Sequence, residues 1–215
     1  HLPGGNTRTT VHFSPFPLYI AKGEGSRLTD VDGHSYIDFI NEYTAGVFGH
    51  SNALIAETIS RTIAQGLNFG APTEHEVKLS AELRKRFPAM ELLRFCNSGT
   101  EANLLAMATA RAVSRKDTIM IFNGAYHGSV FYFSHGPSPL NMPFPVITST
   151  FNDPEKAASD IAKHGGKLAA VIVEPMQGGA GALPATPAFI AALRDATERH
   201  GVLLIFDEVM TSRVH

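Results

Sequence analysis

This sequence lacks several features that would each point to a particular class of protein. It has no tryptophan and a single cysteine, Cys96, which excludes a disulfide within the chain and fits a reducing compartment such as the cytoplasm. The first residue is His1 rather than Met, so targeting to an organelle stays open. No apolar run approaches the ~18 residues of a membrane span, and no signal peptide is visible. The formal net charge is only −2, so neither nucleic acid nor an anionic membrane is expected as a partner.

The patterns of several well-known catalytic sites are also missing. The ten histidines show no zinc-like spacing, so no metal site is expected. There is no Gly-x-Ser-x-Gly turn, and Cys96 has no recognisable histidine partner. These absences argue against a serine or cysteine nucleophile.

What the sequence does contain is a series of short apolar runs that alternate with helical patterns. Four of these runs have the length and residue types of strands that are buried on both faces of a parallel sheet. They lie at residues 118–122, 145–150, 168–173 and 202–206. Helices are predicted at 154–164 and at 187–200, the second with Thr186 as its cap and Gly201 as its stop. This alternation predicts an α/β domain whose ligands bind at the carboxyl ends of the strands.

The first 45 residues or so are predicted to be rich in strands. Residues 28–31 and 34–39 flank Asp32-Gly33, which is a strong hairpin signal. A further short strand is expected at 18–22.

Two helices are predicted to follow this β-rich segment. Ser51 is expected to cap the first helix, which runs to Gln65. Thr73 and Glu76 have the spacing of a capping box for the second helix, which ends before Pro88.

A turn of small and hydroxyl residues, Ser98-Gly99-Thr100, lies between a predicted strand at 92–95 and a helix rich in Ala, Leu and Met. The N-terminus of a helix offers unpaired N–H groups and a partial positive charge, and Ser and Thr add hydroxyl donors. The turn is therefore a candidate site for a phosphate group. The alternative is a plain helix cap, because Ser98 and Glu101 also fit a capping box.

Two further candidate positions follow apolar runs. Asp207 stands directly after 202–206, where a carboxylate could pair with a protonated ring nitrogen; capping a loop or binding a metal are its alternatives. Tyr126 and His127 lie in a glycine-rich loop after 118–122, where an aromatic side chain could stack on a planar ligand. On its own, a loop histidine is more often structural or solvated.

Taken together, four segments resemble the class III aminotransferases, which depend on pyridoxal 5′-phosphate (PLP) and have PLP fold type I. The segments are 97–102, 124–128, 173–178 and 206–211, and the resemblance extends over essentially the whole chain. It implies an α/β fold with a mostly parallel sheet flanked by helices and a small N-terminal β-rich segment. Residues 1–45 would be the N-terminal part of a small domain, and 46–215 would be part of the large PLP-binding domain.

The resemblance also implies which residues bind the cofactor. Asp207 would keep the ring nitrogen protonated and is the catalytic residue expected in this chain. Tyr126 would stack on one face of the ring and Val209 would pack on the other. The cofactor-binding set implied is Ser98, Gly99, Thr100, Tyr126, His127, Glu174, Asp207 and Val209. The family's cofactor-bearing lysine lies beyond the Asp-Glu-Val strand, and no lysine of this sequence matches it. The resemblance therefore implies that the chain is roughly half of such an enzyme, and whether it is a true fragment stays open.

Details of the sequence favour one branch of the family. The opening at residues 2–8 resembles glutamate-1-semialdehyde aminomutases and β-amino-acid transaminases of the β-phenylalanine type. Gly179 stands where ornithine- and GABA-type enzymes carry a gating glutamate, and Met210 stands where they carry glutamine. By resemblance, Arg8 would bind the substrate carboxylate through its planar guanidinium, and Tyr43 would line the substrate pocket. A solvated N-terminal arginine is the alternative for Arg8.

These implications predict a transaminase that moves an amino group from an amino acid, with a β-amino acid as the expected donor, to a 2-oxo acid. The alternatives are an enzyme like glutamate-1-semialdehyde 2,1-aminomutase, another PLP enzyme, or a non-catalytic PLP-binding fragment. The resemblance also implies a homodimer with its active site at the subunit interface. The aromatic run at 131–133 is either part of that interface or ordinary core.

Overall fold

The molecule is described from a computed structural model, and the described residues are 1–7, 11–133, 136 and 138–212. The chain forms two compact units, His1–Glu91 and Leu92–His215, and each is described by itself. The predicted boundary between residues 45 and 46 refers to domains of the whole enzyme, and it stays a prediction.

The N-terminal unit contains a three-stranded antiparallel sheet. Its strands, in sheet order, are β1 (Ile20–Glu24), β2 (Arg27–Asp30) and β3 (Ser35–Ile37). The predicted hairpin is confirmed, since β2 pairs with β3 across Asp32-Gly33, and Gly33 has the positive φ of 89° that such a turn favours. The Asp30 carboxylate holds the turn by accepting the backbone N–H groups of Asp32 and His34.

Two helices, α1 (Ala53–Ile63) and α2 (Glu74–Arg86), belong to the same unit. Both were expected, but their caps differ from the prediction. Asn52 caps α1 with its side-chain oxygen, whereas the hydroxyl of Ser51 donates to a carbonyl on β1. Thr73 precedes α2 without making a side-chain capping bond, so the capping box predicted from Thr73 and Glu76 is wrong.

The segment between β3 and α1 contains a left-handed backbone turn. Four consecutive residues from Asn41 to Thr44 have φ angles of 48°, 47°, 52° and 74°. In this region each non-glycine residue costs about 1–2 kcal/mol. Asp38 supports the turn, because its Oδ1 accepts two backbone N–H groups, including that of Asn41. Its Oδ2 lies 2.8 Å from His50 Nε2, which ties the turn to the segment before α1. Tyr43 is carried by this turn.

The C-terminal unit is built on a four-stranded parallel sheet. In chain order its elements are α3 (Gly99–Ser114), β4 (Thr118–Phe122), β5 (Val146–Ser149), α4 (Pro154–His164), β6 (Leu168–Val173), the short antiparallel pair β7 (Met176–Gln177) and β8 (Leu183–Pro184), α5 (Pro187–Arg199) and β9 (Leu203–Phe206). The sheet order is β5-β4-β6-β9. All four parallel strands lie within the predicted runs and are confirmed. The strand predicted at 92–95 is wrong, because these residues form no strand, and the β7-β8 pair was not predicted.

The two faces of the sheet carry separate apolar clusters. On β4, Met120 and Phe122 pack with residues of α4 and α5, whereas Ile119 and Ile121 pack with residues of α3. Burying a large apolar side chain in this way stabilises the fold by about 1.5–3 kcal/mol. The strand β6 is buried over its whole length, which explains why its sequence is an uninterrupted apolar run.

The aromatic run at 131–133 divides between core and surface. Phe131 and Phe133 are 2% and 5% exposed and belong to the cluster on the α3 side of the sheet, so these two are core residues. Tyr132 is 38% exposed.

Among the described residues, no helix combines the length and the apolar character that crossing a membrane requires.

Candidate active site

Asp207 stands at the carboxyl end of β9, where the chain leaves the sheet. Its backbone N–H still bonds to the carbonyl of Val173 on β6, at 2.8 Å. The neighbouring strand therefore sets the point from which the side chain extends. Asp207 is 7% exposed, and because a buried charge is strongly disfavoured unless it is paired, its partners decide what it can do.

Within the described part of the chain, three donors bind the Asp207 carboxylate. Oδ2 lies 2.8 Å from Nδ1 of His127 and 2.7 Å from Nδ2 of Asn103. Oδ1 accepts the backbone N–H of Val209 at 3.1 Å. An ionised carboxylate offers about four acceptor positions, so roughly one position on Oδ1 remains beyond these three bonds.

His127 lies in the loop that follows β4, and its ring reaches Asp207 across the end of the sheet. It is 1% exposed, and its backbone N–H bonds to the carbonyl of Phe131 at 2.9 Å. Its Nε2 is buried without a hydrogen-bond partner among the described residues. Because buried polar atoms are nearly always paired, we infer that a bound group or a water molecule completes the site at this atom.

Asn103, on α3, was not identified from the sequence although it contacts Asp207 directly. Its Nδ2 donates to Asp207 Oδ2 and also lies 3.2 Å from the backbone carbonyl of His127. Asn103, Met107 and Ala110 are the buried residues of α3, and their spacing of four and three places them on one face of the helix. A polar residue on that apolar stripe was the signal that could have revealed it.

The turn Ser98-Gly99-Thr100 forms the N-terminus of α3, as predicted. The Ser98 hydroxyl oxygen accepts the N–H of Glu101 at 3.1 Å. The Glu101 carboxylate accepts the N–H of Asn97 at 2.8 Å, one residue before the partner expected in a capping box. The cap is therefore formed at the start of α3.

The loops after β4 and β9 approach this turn so closely that side chains are excluded. Gly128 has φ 113°, and a Cβ there would lie 2.3 Å from Thr100 Oγ1 and 2.8 Å from Thr100 Cα. The Thr100 hydroxyl oxygen also accepts the N–H of Ser129 at 3.3 Å. A Cβ on Gly99 would lie 2.6 Å from Val209 Cγ2. The phosphate-site candidate, the His127 loop and the segment after Asp207 therefore meet at one place.

Glu174 joins two of the loops. It is buried at the end of β6, and its carboxylate oxygens accept the backbone N–H groups of Tyr126 at 3.1 Å and of Gly178 at 3.3 Å. The half-buried Tyr126 ring meets the Tyr132 ring edge-on at a centroid distance of 5.2 Å. The side chain of Glu174 thus shapes the loop that carries Tyr126, and a contact of its own with a cofactor stays a prediction.

The two buried carboxyl groups have pKa values shifted in opposite directions. Burial raises the pKa of Glu174 above its ordinary value and outweighs the lowering by the charge of His127 and by the N–H donors. Burial also raises the pKa of Asp207, but the hydrogen bond and the charge of His127, with two further hydrogen bonds, bring that pKa below its ordinary value. Asp207 is therefore ionised at neutral pH and supplies a negative charge to the site.

The structure does not test the two predicted substrate residues. Tyr43 belongs to the N-terminal unit, on the left-handed turn from Asn41 to Thr44, and is 37% exposed. Arg8 lies outside the described residues. The roles predicted for both stay predictions.

Comparisons with known proteins show the family of the chain. A family model described as aminotransferase class-III matches residues 9–213. The chain is 46% identical over 214 residues to a β-phenylalanine transaminase from Variovorax paradoxus, covering 100% of this chain and 49% of that protein. It is 40% identical over 228 residues to glutamate-1-semialdehyde 2,1-aminomutase 2 from Brevibacillus brevis, covering 98% and 53%. The chain therefore spans about half the length of the curated relatives it matches.

Solved structures give the same result for the fold. A β-phenylalanine aminotransferase from Variovorax paradoxus superposes with a TM-score of 0.96 at 46% identity, over 100% of this chain and 50% of that one. A transaminase with PLP bound superposes with a TM-score of 0.91 at 36% identity, over 100% and 54%. The chain belongs to the class-III aminotransferases and has PLP fold type I, and the cofactor of this family is PLP.

The described residues fit this cofactor. PLP has a phosphate, a flat aromatic ring and a basic ring nitrogen. The site contains a capped helix N-terminus that the loops after β4 and β9 approach closely at Gly128 and Gly99, and a buried ionised carboxylate with an acceptor position remaining. It also contains Nε2 of His127, which has no hydrogen-bond partner in the part of the chain that the structure describes. These features suit an anion at the helix start and a cationic ring nitrogen near Asp207.

Proposed function

We propose that the enzyme to which this chain belongs is a PLP-dependent transaminase that moves an amino group from a β-amino acid to a 2-oxo acid. The observation that carries this proposal is the buried Asp207 carboxylate, held by three donors where β9, α3 and the loop after β4 meet. A fixed, buried negative charge of this kind suits a protonated pyridine nitrogen.

Each part of the cofactor has proposed partners in the chain. Ser98, Gly99 and Thr100 would bind the phosphate, because the start of α3 offers N–H groups, hydroxyl groups and the positive end of the helix dipole. Tyr126 would cover one face of the ring and Val209 the other. The glycine at position 99 leaves room for Val209 beside the phosphate turn, which supports placing these groups together.

When bound, PLP supplies an electron sink for the carbon that carries the amino group. Asp207 would keep the ring nitrogen protonated, and His127 would hold Asp207 Oδ2 in place. Burial strengthens the attraction between the Asp207 carboxylate and a protonated ring nitrogen, because that attraction is less screened away from water. Glu174 would keep the Tyr126 loop in position through its two backbone bonds.

The 46% identity to a β-phenylalanine transaminase supports a β-amino acid as the amino donor. The left-handed turn that carries Tyr43 supports a ligand site at this segment, because strained backbone of this kind clusters at such sites. Tyr43 would line the substrate pocket, and Arg8 would bind the donor's carboxylate.

The Arg8→Ala variant of the whole enzyme is expected to raise the KM for β-phenylalanine by about tenfold or more. A hydrogen-bonded pair with a charged group contributes about 1.5–3 kcal/mol, and alanine removes it. Steady-state formation of glutamate from β-phenylalanine and 2-oxoglutarate measures the effect. Arg199→Ala, which removes an exposed arginine at the end of α5, is the control, and an unchanged KM in Arg8→Ala would contradict the role of Arg8.

A glutamate-1-semialdehyde aminomutase is the second candidate, favoured by the 40% identity to such an enzyme. Amine-acceptor assays separate the two, since a transaminase needs a 2-oxo acid to complete its cycle. If the parent enzyme transfers no amino group from any amine donor to either 2-oxoglutarate or pyruvate, the transaminase proposal fails. Absence of turnover with glutamate-1-semialdehyde as well would favour a non-catalytic PLP-binding protein.

The single cysteine supports a reducing compartment such as the cytoplasm as the place of action.

We also propose that the whole enzyme is a homodimer with its active site at the subunit interface. The family resemblance motivates this, and the exposed aromatic residues Phe69 and Tyr132 are of a type enriched at interfaces. Obligate interfaces commonly bury at least about 2,000 Å². Sedimentation of the whole enzyme is expected to give a dimer at micromolar concentration. A fully active monomer would refute a shared active site.

A further inference from the structure

One buried amide bridges three parts of the candidate active site. The NH₂ group of Asn103 has two hydrogens, and its nitrogen lies 2.7 Å from Asp207 Oδ2 and 3.2 Å from the backbone carbonyl of His127. Both donors of the amide are therefore used. They connect α3 to the end of β9 and to the loop after β4, across sequence separations of 104 and 24 residues.

The position of Asn103 is unfavourable for the helix itself. Asparagine is a poor helix former compared with alanine, leucine or methionine, which make up much of α3. The residue is 7% exposed and shares the inner face with the apolar Met107 and Ala110. A buried polar group is disfavoured unless it is hydrogen-bonded, so the bonds to Asp207 and His127 offset the disadvantage of a polar residue at this point.

We propose that Asn103 is a positioning residue that fixes the orientation of the Asp207 carboxylate toward the cofactor's ring nitrogen. Oδ2 is held by Asn103 and His127 together, and Oδ1 accepts from a single donor among the described residues, the N–H of Val209. Securing Oδ2 with two donors directs Oδ1, with its remaining acceptor position, to the ligand. Without Asn103, the His127 ring and the Val209 N–H would each hold one oxygen with a single bond, and the His127 backbone carbonyl would lose its bond to the amide.

This inference rests on the proposed PLP site, and its test measures binding rather than turnover. Two ligands are compared on the whole enzyme: pyridoxamine 5′-phosphate, which has no aldehyde and binds without a covalent bond, and its 1-deaza analogue, in which C–H replaces the ring nitrogen. The parent is expected to bind the first more tightly, because only that ligand pairs with Asp207. The ratio of the two dissociation constants reports the strength of that pairing alone.

Asn103→Leu, which keeps the volume and removes the donors, is expected to reduce this preference by about tenfold, as for a hydrogen bond to a charged group. Asn103→Asp has nearly the shape of the parent residue and is the second variant. It places a carboxyl group beside Asp207, where two like charges compete for a proton, and it is expected to reduce the preference at least as much. Thr197→Val, which removes a buried hydroxyl that bonds to the backbone of α5, should leave the preference unchanged.

The outcomes separate the inference from the function on which it rests. If an Asn103 variant that folds binds both ligands more weakly but keeps the parent's preference, Asn103 is only structural and the inference is overturned. If the parent itself shows no preference for the ring nitrogen, the role proposed for Asp207 fails, and the role of Asn103 fails with it. A preference present in the parent and Thr197→Val, and lost in both Asn103 variants, supports the inference.

Discussion

Asp207→Asn in the whole enzyme is expected to lower the rate of amino transfer by about 10²–10³-fold, the size of effect seen when a preorganised electrostatic contact to the reacting group is removed. The substitution keeps the shape of the side chain and removes its charge. A neutral amide cannot keep a ring nitrogen protonated, so the cofactor becomes a weaker electron sink. The large effect follows from burial, because the 7% exposed side chain leaves little room for water to replace the lost charge.

The same substitution also disturbs the hydrogen bonds around residue 207. Asparagine has one acceptor oxygen, whereas the parent carboxylate accepts bonds on both oxygens. At least one buried donor is therefore left unpaired, at about 1–3 kcal/mol. Thermal unfolding and the rate of transamination should be measured together, with Asp195→Asn on the exposed side of α5 as the control. Near-normal turnover in a folded Asp207→Asn enzyme would show that the charge is not needed.

Gly128→Ala is expected to have the next largest effect, on both stability and cofactor binding. The φ of 113° strains any residue with a side chain, at about 1–3 kcal/mol. The added methyl group would lie 2.8 Å from the backbone Cα of Thr100, and overpacking of this kind costs a further 1–3 kcal/mol or so. Relief requires the loop to move away from the start of α3, so the proposed phosphate site widens and PLP is retained less well.

Gly181→Ala provides a matched control for this prediction. Gly181 has a positive φ of 95°, but a Cβ there meets nothing within 4 Å. It therefore introduces backbone strain without the clash. Melting temperature and retention of PLP after dialysis should be compared in the two variants. If the two variants lose the same amount of stability, and each retains as much PLP as the parent does, the close approach of Gly128 to Thr100 matters neither for stability nor for cofactor binding.

The candidate site could be predicted in part because its ends are set by the sheet. Asp207 and His127 each follow an apolar run, and the carboxyl ends of parallel strands lie along one edge of a sheet. The sequence therefore indicated that the two segments after β4 and β9 belong to one crevice. Asn103 could not be found in this way, because its contact with Asp207 depends on how α3 is rotated about its axis against the sheet. That rotation is decided by packing of the whole apolar face, including Met107 and Ala110.

Backbone conformation was likewise predictable from the sequence in one turn and not in another. The Asp32-Gly33 turn was predictable, because the conformation that it needs is favoured by those two residue types themselves. The left-handed turn from Asn41 to Thr44 was not, since no residue in it prefers that region as glycine does. Contacts from Asp38, three residues earlier, hold it, and His50 holds Asp38 in turn.

By itself, the sequence determined the positions of the buried strands and of most helices, because apolar periodicity and helix caps are properties of neighbouring residues. It also determined the family, through four short segments in a fixed order. Tertiary structure alone decided the strand order β5-β4-β6-β9, the choice of Asn52 over Ser51 as a cap, and the set of donors around Asp207. These features depend on contacts between residues that are distant along the chain. Local sequence does not fix such contacts, because any of several partners could satisfy the same side chain until packing selects one.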